Sequence, residues 1–293
     1  MASVKQETTA EYTRRVLKSG ARAKKHLGQN FLIDDDIIER IVEEGIPDPD
    51  LPVLEIGPGP GGLTRALLSK VKKLWLAELD KEKVEILEKE FSPQMLDLKG
   101  FYNREITILQ IDALKLQLLD LWGREKGYLI GNLPYYITNP LLSHFLEQKD
   151  YLLGLTVMVQ KEVGERMLAI PGGKDYGILS IAVQLAAEPT KLFDVPPSAF
   201  WPQPKVTSSV LQLRIRPYPG FIVNSQEYFR VVRAAFAQRR KTLTNSLAAG
   251  LGLSKAQIKQ VLKAANLEEN LRAENLSLID YQNIVLALRD LSS

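Results

Sequence analysis

Residues 53–62 read Val-Leu-Glu-Ile-Gly-Pro-Gly-Pro-Gly-Gly, a short apolar strand running straight into a glycine-rich turn. No other stretch limits the possible folds as much. An apolar run of this length is a strand buried on both faces, and the apolar spacing over 63–70 turns it directly into a helix. The same alternation continues down the chain. Residues 74–77 read as strand, 81–91 as helix, 106–111 and 128–130 as strands, 138–146 as helix and 155–159 as strand. Helices are expected near 162–169 and 178–187, and strands near 191–195 and 209–215. Seven strands interleaved with helices describe an α/β protein whose parallel sheet is covered on both faces. The two adjacent strands at its end predict an antiparallel finish.

The flanking segments differ in character. Residues 1–21 read as a flexible basic arm, with Lys5, Arg14, Arg15 and Lys18 against Glu7 and Glu11. Asp34–Asp36 then precede Ile37, Ile38, Ile41 and Val42, the pattern of a capped amphipathic helix. The sheet domain is expected over 22–216. Beyond Arg216-Pro217-Tyr218-Pro219-Gly220 the apolar positions take helical spacing, as in Val231, Ala234, Ala235 and Ile258, Val261, Leu262. Residues 217–293 therefore read as a small all-helical domain.

Composition excludes several chemistries. With no cysteine there is no disulfide, thiol nucleophile or thiolate ligand, and with two histidines, His26 and His144, no metal site is expected. No apolar run approaches the roughly 20 residues that span a bilayer, and the N-terminus lacks a signal-peptide core, so the expectation is a cytoplasmic protein with no membrane partner. Net charge is only +3. Basic residues nevertheless cluster twice, within 1–25 and at Arg230, Arg233, Arg239, Arg240 and Lys241. Such patches suit a polyanion, although a solvated tail and a solvated helix face produce the same composition.

Gly57, Gly59 and Gly62 satisfy G-x-G-x-x-G after a strand and before a helix. Glycine lets backbone approach a ligand, and the helix start offers free N–H groups. This context points to a nucleoside-containing cofactor, with nicotinamide dinucleotides and S-adenosylmethionine both admitted. Glu78, 21 positions after Gly57, ends the second strand, where a carboxylate can accept from a ribose diol. Asp80 reads as the N-cap of the next helix. Asp112 ends the third strand and can bond an adenine amine or merely cap its turn.

Asn132-Leu133-Pro134-Tyr135 follows the fourth strand. The exocyclic amine of adenine is a poor nucleophile because its lone pair is delocalised into the ring. Holding both N–H bonds in acceptors turns that lone pair outward. The Asn132 amide oxygen is one acceptor and the Leu133 carbonyl a second, with Pro134 stiffening the loop. Tyr135 offers a ring face for a flipped base. The pattern predicts methyl transfer to an adenine amine by alignment and desolvation, without a strong base.

Longer runs carry a resemblance. They include 24–32 (Lys-Lys-His-Leu-Gly-Gln-Asn-Phe-Leu), 54–64, 131–138 (Gly-Asn-Leu-Pro-Tyr-Tyr-Ile-Thr), 159–163, 200–206 (Phe-Trp-Pro-Gln-Pro-Lys-Val) and 236–243 (Phe-Ala-Gln-Arg-Arg-Lys-Thr-Leu). Together they make the chain, from about residue 23 onward, resemble the small-subunit ribosomal RNA adenine N6,N6-dimethyltransferases, the KsgA family. The resemblance implies a Rossmann-like seven-stranded S-adenosylmethionine-dependent methyltransferase sheet in strand order 3-2-1-4-5-7-6, the seventh strand antiparallel. It implies cofactor contacts at Asn30, Leu32, Gly57, Glu78, Asp112 and Asn132. The base pocket would comprise Asn132, Leu133, Pro134, Tyr135 and Phe200, with Phe200 on the second face of the adenine, whereas the residues alone read Phe200 as a core aromatic beside a proline-rich turn. It also implies dimethylation of two adjacent adenosines near the 3′ end of 16S ribosomal RNA in the assembling small subunit, by a monomer whose Arg239, Arg240 and Lys241 grip RNA phosphates. The large-subunit methyltransferases of the antibiotic-resistance type share the fold. Their motif more often reads N-I-P-Y and their glycine loop more often carries lysine, so Leu133, Pro58 and Pro60 favour the small-subunit group.

Overall fold

The sheet assembles because its strands carry too little polar surface to face water. Val53, Leu54 and Ile56 are buried, as are Leu74, Leu76, Leu129 and Ile130. The computed structural model describes residues 7–18, 29–92, 104–218 and 220–292. The Lys24–Gly28 part of the 24–32 motif, with His26, lies outside them.

Helix α1 (Thr9–Lys18) comes first, followed by β1 (Phe31–Leu32), α2 (Asp35–Gly45), β2 (Val53–Ile56), α3 (Gly62–Lys70) and β3 (Lys73–Glu78). Next are α4 (Lys81–Glu90), β4 (Glu105–Gln110), α5 (Leu118–Trp122), β5 (Gly127–Asn132), α6 (Thr138–Glu147) and β6 (Leu152–Gln160). Then come α7 (Lys161–Leu168), α8 (Ile178–Ala186), β7 (Ala187–Val195), β8 (Phe200–Trp201) and β9 (Ser208–Ile215). Four further helices end the chain: α9 (Ser225–Phe236), α10 (Leu243–Leu251), α11 (Lys255–Ala264) and α12 (Leu278–Ser292).

The main sheet has seven strands in the order β4-β3-β2-β5-β6-β9-β7. Counting only its own strands, that is 3-2-1-4-5-7-6, the order the family resemblance implies. The pairs β4–β3, β3–β2, β2–β5 and β5–β6 are parallel, and β9 runs antiparallel to β6. Strand β2 lies between β3 and β5, where the order of connection reverses. That switch point opens a crevice at the carboxyl ends of the strands, the place where such sheets bind ligands. A separate two-stranded ribbon pairs Phe31 with Trp201 and Leu32 with Phe200, a feature too short for alternation to reveal.

By internal contact the chain forms two units, 1–164 with 189–215, and 165–188 with 216–293. The expected sheet domain of 22–216 therefore loses 165–188 to the helical unit. Tyr176, Ile181 and Leu185 bury in one cluster with Val231, Leu247, Ile258 and Tyr281. Apolar periodicity marks α8 as a buried helix but does not say which core it joins.

Residues 7–18 also differ from the flexible arm expected over 1–21. Thr9–Lys18 is helical, with Tyr12, Thr13, Val16 and Leu17 buried. Thr8 and Glu11 form a reciprocal cap, Glu11 N donating to Thr8 Oγ1 at 3.2 Å and Thr8 N to Glu11 Oε2 at 3.0 Å. Arg14, Arg15 and Lys18 lie on the exposed face of this helix. Asp34 and Asp80 cap α2 and α4 as the sequence implies.

Candidate active site

Four strand ends converge on one cleft. Gly57 follows β2, Glu78 ends β3, Asp112 follows β4 and Asn132 ends β5. All four line one cleft, together with Asn30, Phe31, Leu133, Pro134 and Tyr135. A second cavity shares Phe31, Gly57 and Asn132 with it and adds Leu32, Glu55 and Thr156.

The floor is built from backbone. Gly57 has φ of 65° and donates its N–H to the Ala77 carbonyl at 2.9 Å. A Cβ on Gly57 would meet no atom within 4 Å, so glycine is needed there for its left-handed conformation, and open space lies above it. The Glu78 carboxylate is held from two sides, accepting from Gly59 N at 3.0 Å and Asp80 N at 2.8 Å. Burial pushes its pKa up, and those backbone donors oppose the rise. The result is a rigid acceptor at the cleft wall. Asp112 accepts from Leu114 N at 3.0 Å and so caps a short turn, while also facing the cleft. The turn-capping reading of Asp112 is the one this bond shows.

The Asn132 side chain is fixed by donating from Nδ2 to the Asn30 carbonyl at 2.9 Å. That bond commits the nitrogen and leaves the oxygen as the acceptor. Leu133 N donates to Met158 O at 3.1 Å, and among the described residues no donor engages the Leu133 carbonyl. The Pro134 carbonyl, in contrast, accepts from Ile137 N and Thr138 Oγ1, both at 3.1 Å. The loop is therefore braced on one side of two acceptors. Tyr135 shares a 2.9 Å hydrogen bond with Ser208 Oγ, and burial raises its pKa, so the phenol is neutral and its ring cannot swing freely.

Two expected site residues are placed otherwise. Phe200 is 1% exposed and packs in the core cluster with Leu32 and Val210. It does not line the cleft. Arg239 is tied into the helical unit through Glu274 at 3.3 Å and the carbonyls of Lys174 and Tyr176. Arg240 and Lys241 are exposed. Sequence reasoning missed Ser208, whose only signal was its place in β9, and Leu79, which is 55% exposed and faces the cleft. An exposed leucine beside Glu78 offers apolar contact to a base.

The residues present fit S-adenosylmethionine: open space over Gly57, a fixed carboxylate at Glu78 for a ribose, and Asp112 with Leu79 for the adenine. Residues 20–288 match the profile of the family described as Ribosomal RNA adenine dimethylase. The chain is 58% identical to Ribosomal RNA small subunit methyltransferase A of Desulfitobacterium hafniense over 96% of its length and 98% of the relative's. It is 43% identical to the protein of that name from Alkaliphilus metalliredigens, over 90% and 91% of the two chains. Among solved structures it resembles a dimethyladenosine transferase from Plasmodium falciparum, with TM-score 0.73 and 26% identity, covering 88% of this chain and 97% of that one. The 23S rRNA methyltransferase ErmE is similar at TM-score 0.64 and 25% identity, over 89% of this chain and all of that one. The chain belongs to the ribosomal RNA adenine dimethylase family and is an S-adenosylmethionine-dependent methyltransferase of ribosomal RNA adenine.

Proposed function

We propose that the chain dimethylates two adjacent adenosines near the 3′ end of 16S ribosomal RNA in the assembling small subunit, acting as a cytoplasmic monomer. The observation that carries the site assignment is the Asn132 amide, anchored through its nitrogen on Asn30 so that its oxygen is presented at the mouth of β5. The relatives named for the small subunit support the choice of substrate. Among the described residues no helix is long and apolar enough to cross a membrane.

When bound, S-adenosylmethionine supplies a methyl group on a positively charged sulfur. The chain's own part is alignment. Glu78, Asp112 and the glycine turn hold the cofactor at the β2–β3–β4 side of the cleft. Asn132 Oδ1 and the Leu133 carbonyl accept the two N6 hydrogens, and the nitrogen lone pair turns toward the methyl group. Tyr135 stacks on the base and excludes water. The methylated amine is acidic and releases its proton to solvent past the same two acceptors. Phe200 reaches the second face of the base only if the β1–β8 ribbon shifts on binding. Arg240 and Lys241 contact RNA phosphates, and Arg239 positions the turn that carries them.

Methylation of unmodified small subunits, followed by mass spectrometry of the nucleosides, tests the substrate. Dimethyladenosine at two neighbouring positions is the expected product, and methylation of large subunits alone would overturn the reading. Asn132→Ala should lower turnover by about 10²- to 10³-fold, the effect typical of one removed preorganised group, with RNA affinity nearly unchanged. Near-normal turnover in that variant would remove the alignment mechanism.

A further inference from the structure

The N-terminal helix is anchored at several points outside the cleft. Tyr12 is 1% exposed, and its hydroxyl donates to the carbonyl of Pro60 at 2.7 Å. Pro60 is the buried fourth residue of the glycine turn, between Gly59 and Gly61. Three further ties hold the helix in register over that turn. Arg15 makes a two-pronged pair with Glu90, at 2.8 and 3.1 Å, and also pairs with Glu7. Thr9 N donates to the Asp35 carboxylate at 3.0 Å. Arg65, on the helix that follows the turn, donates to the Glu7 carbonyl at 3.0 Å and lies over the Tyr12 ring at 4.6 Å.

The turn itself holds unusual backbone that must be fixed from outside. Gly57, Gly59 and Gly61 all have positive φ, and the turn's internal brace is Gly61 N to Pro58 O at 3.0 Å. Proline at 58 and 60 supplies no N–H donor. The carbonyl of buried Pro60 takes its donor from Tyr12 on α1. We propose that α1 is a positioning clamp on the cofactor turn, with Tyr12 as its positioning residue. Tyr12 sets the height of the Gly57–Gly61 backbone and hence cofactor affinity, without touching either substrate. The inference rests on the assignment of the cleft to S-adenosylmethionine. Coupling is reciprocal: a ligand that needs the clamped turn also stabilises the docked helix.

Tyr12→Phe tests the clamp, since the ring and its packing remain and only the hydroxyl is lost. Binding of S-adenosylhomocysteine to the full chain is measured by calorimetry, and amide exchange over 9–18 and 57–62 with and without it. The expected result is about tenfold weaker binding and faster exchange at 57–62. The apparent KM for S-adenosylmethionine should rise, while kcat at saturation and the KM for RNA stay unchanged. Ligand should slow exchange over 9–18 in the wild type. A wild type that fails to bind S-adenosylhomocysteine would overturn the cofactor assignment. A wild type that binds it with the Tyr12→Phe variant equal in affinity and exchange would overturn the clamp alone, as would a fall in kcat at saturation with unchanged affinity. Arg15→Ala loosens the helix from a second point and should weaken cofactor binding in the same direction. Unchanged binding there would also count against the clamp.

Discussion

Glu55 lies in the middle of β2, 2% exposed, with Thr64 Oγ1 donating to it at 2.7 Å. Burial pushes its pKa from 4.5 up to about 8, outweighing the Thr64 hydrogen bond, and the charge of Glu78 adds to the rise. A carboxyl whose folded pKa exceeds its unfolded value favours folding fully at pH below the unfolded value. Between pH 4.5 and about 8 the native chain must keep a proton that the unfolded chain releases, so stability falls as pH rises through that window. The loss from this one group is under about 1 kcal/mol at pH 5, about 3 kcal/mol at pH 7, and levels off near 5 kcal/mol, roughly, above the folded pKa. Glu55→Gln keeps the shape and an acceptor for Thr64 while removing the titration. Urea unfolding of both proteins at pH 5, 6, 7 and 8 measures the difference. The variant should be similar to the wild type at pH 5 and more stable by several kcal/mol at pH 8. Parallel profiles across the range would refute the reasoning, because they would mean that Glu55 is charged in the native state.

Tyr135→Ala should cost the base stacking worth roughly 1–3 kcal/mol, read as a raised KM for RNA. Tyr135→Phe and Ser208→Ala should each cost less, and the double variant no more than either alone, since both remove one hydrogen bond. Unequal, additive effects would separate Ser208 from the orientation of Tyr135. Replacing Arg240 and Lys241 by alanine should flatten the salt dependence of subunit binding by about 1 to 2 in log–log slope. Arg239→Ala should instead lower the thermal midpoint with little change in slope, because its guanidinium is spent on Glu274 and two carbonyls. Asn30→Ala should keep the Asn132 anchor, which uses a backbone carbonyl, so a collapse of kcat comparable to that of Asn132→Ala would show that the Asn30 side chain does more.

Much of this architecture is legible in sequence because its causes are local. The strand at 53–56 and the glycine turn announce themselves through apolar run and backbone need, and the carboxylates fall at strand ends by counting. Asp34 and Asp80 cap helices within their own first turns. What stays hidden has causes elsewhere in the chain. Net basic charge over residues 1–21 suggests a solvated arm, yet Thr8 and Glu11 carry a capping box, and Tyr12, Val16 and Leu17 fall at i, i+4 and i+5. Their spacing was legible, but only the docking onto 35, 60, 65 and 90 makes the helix worth forming. The ribbon of Phe31–Leu32 with Phe200–Trp201 joins two-residue strands far apart in sequence. No period exists in two residues, so the ribbon itself could not be read, although a core aromatic beside a proline-rich turn is the reading of Phe200 that its own neighbourhood supports.

The same division explains how the cleft is built. Several residues proposed to meet substrate or cofactor, Gly57 and Asn132 to Tyr135 among them, belong to contiguous motifs, because the proposed chemistry demands particular atoms at short spacing. Three contacts that hold these motifs come from far along the chain: Asn30 is 102 positions from Asn132, Ser208 is 73 from Tyr135 and Tyr12 is 48 from Pro60. In two of the three, one partner is a backbone carbonyl, and a carbonyl is present whatever the side chain. An aiming contact of that kind constrains only the donor, and it constrains it to one functional group. Asn132 must therefore satisfy two demands at once, nitrogen for its anchor and oxygen for the base. Aspartate has no amide N–H to donate to Asn30, and glutamine places the same amide one methylene farther out. Asparagine alone meets both demands in one rotamer at the end of β5.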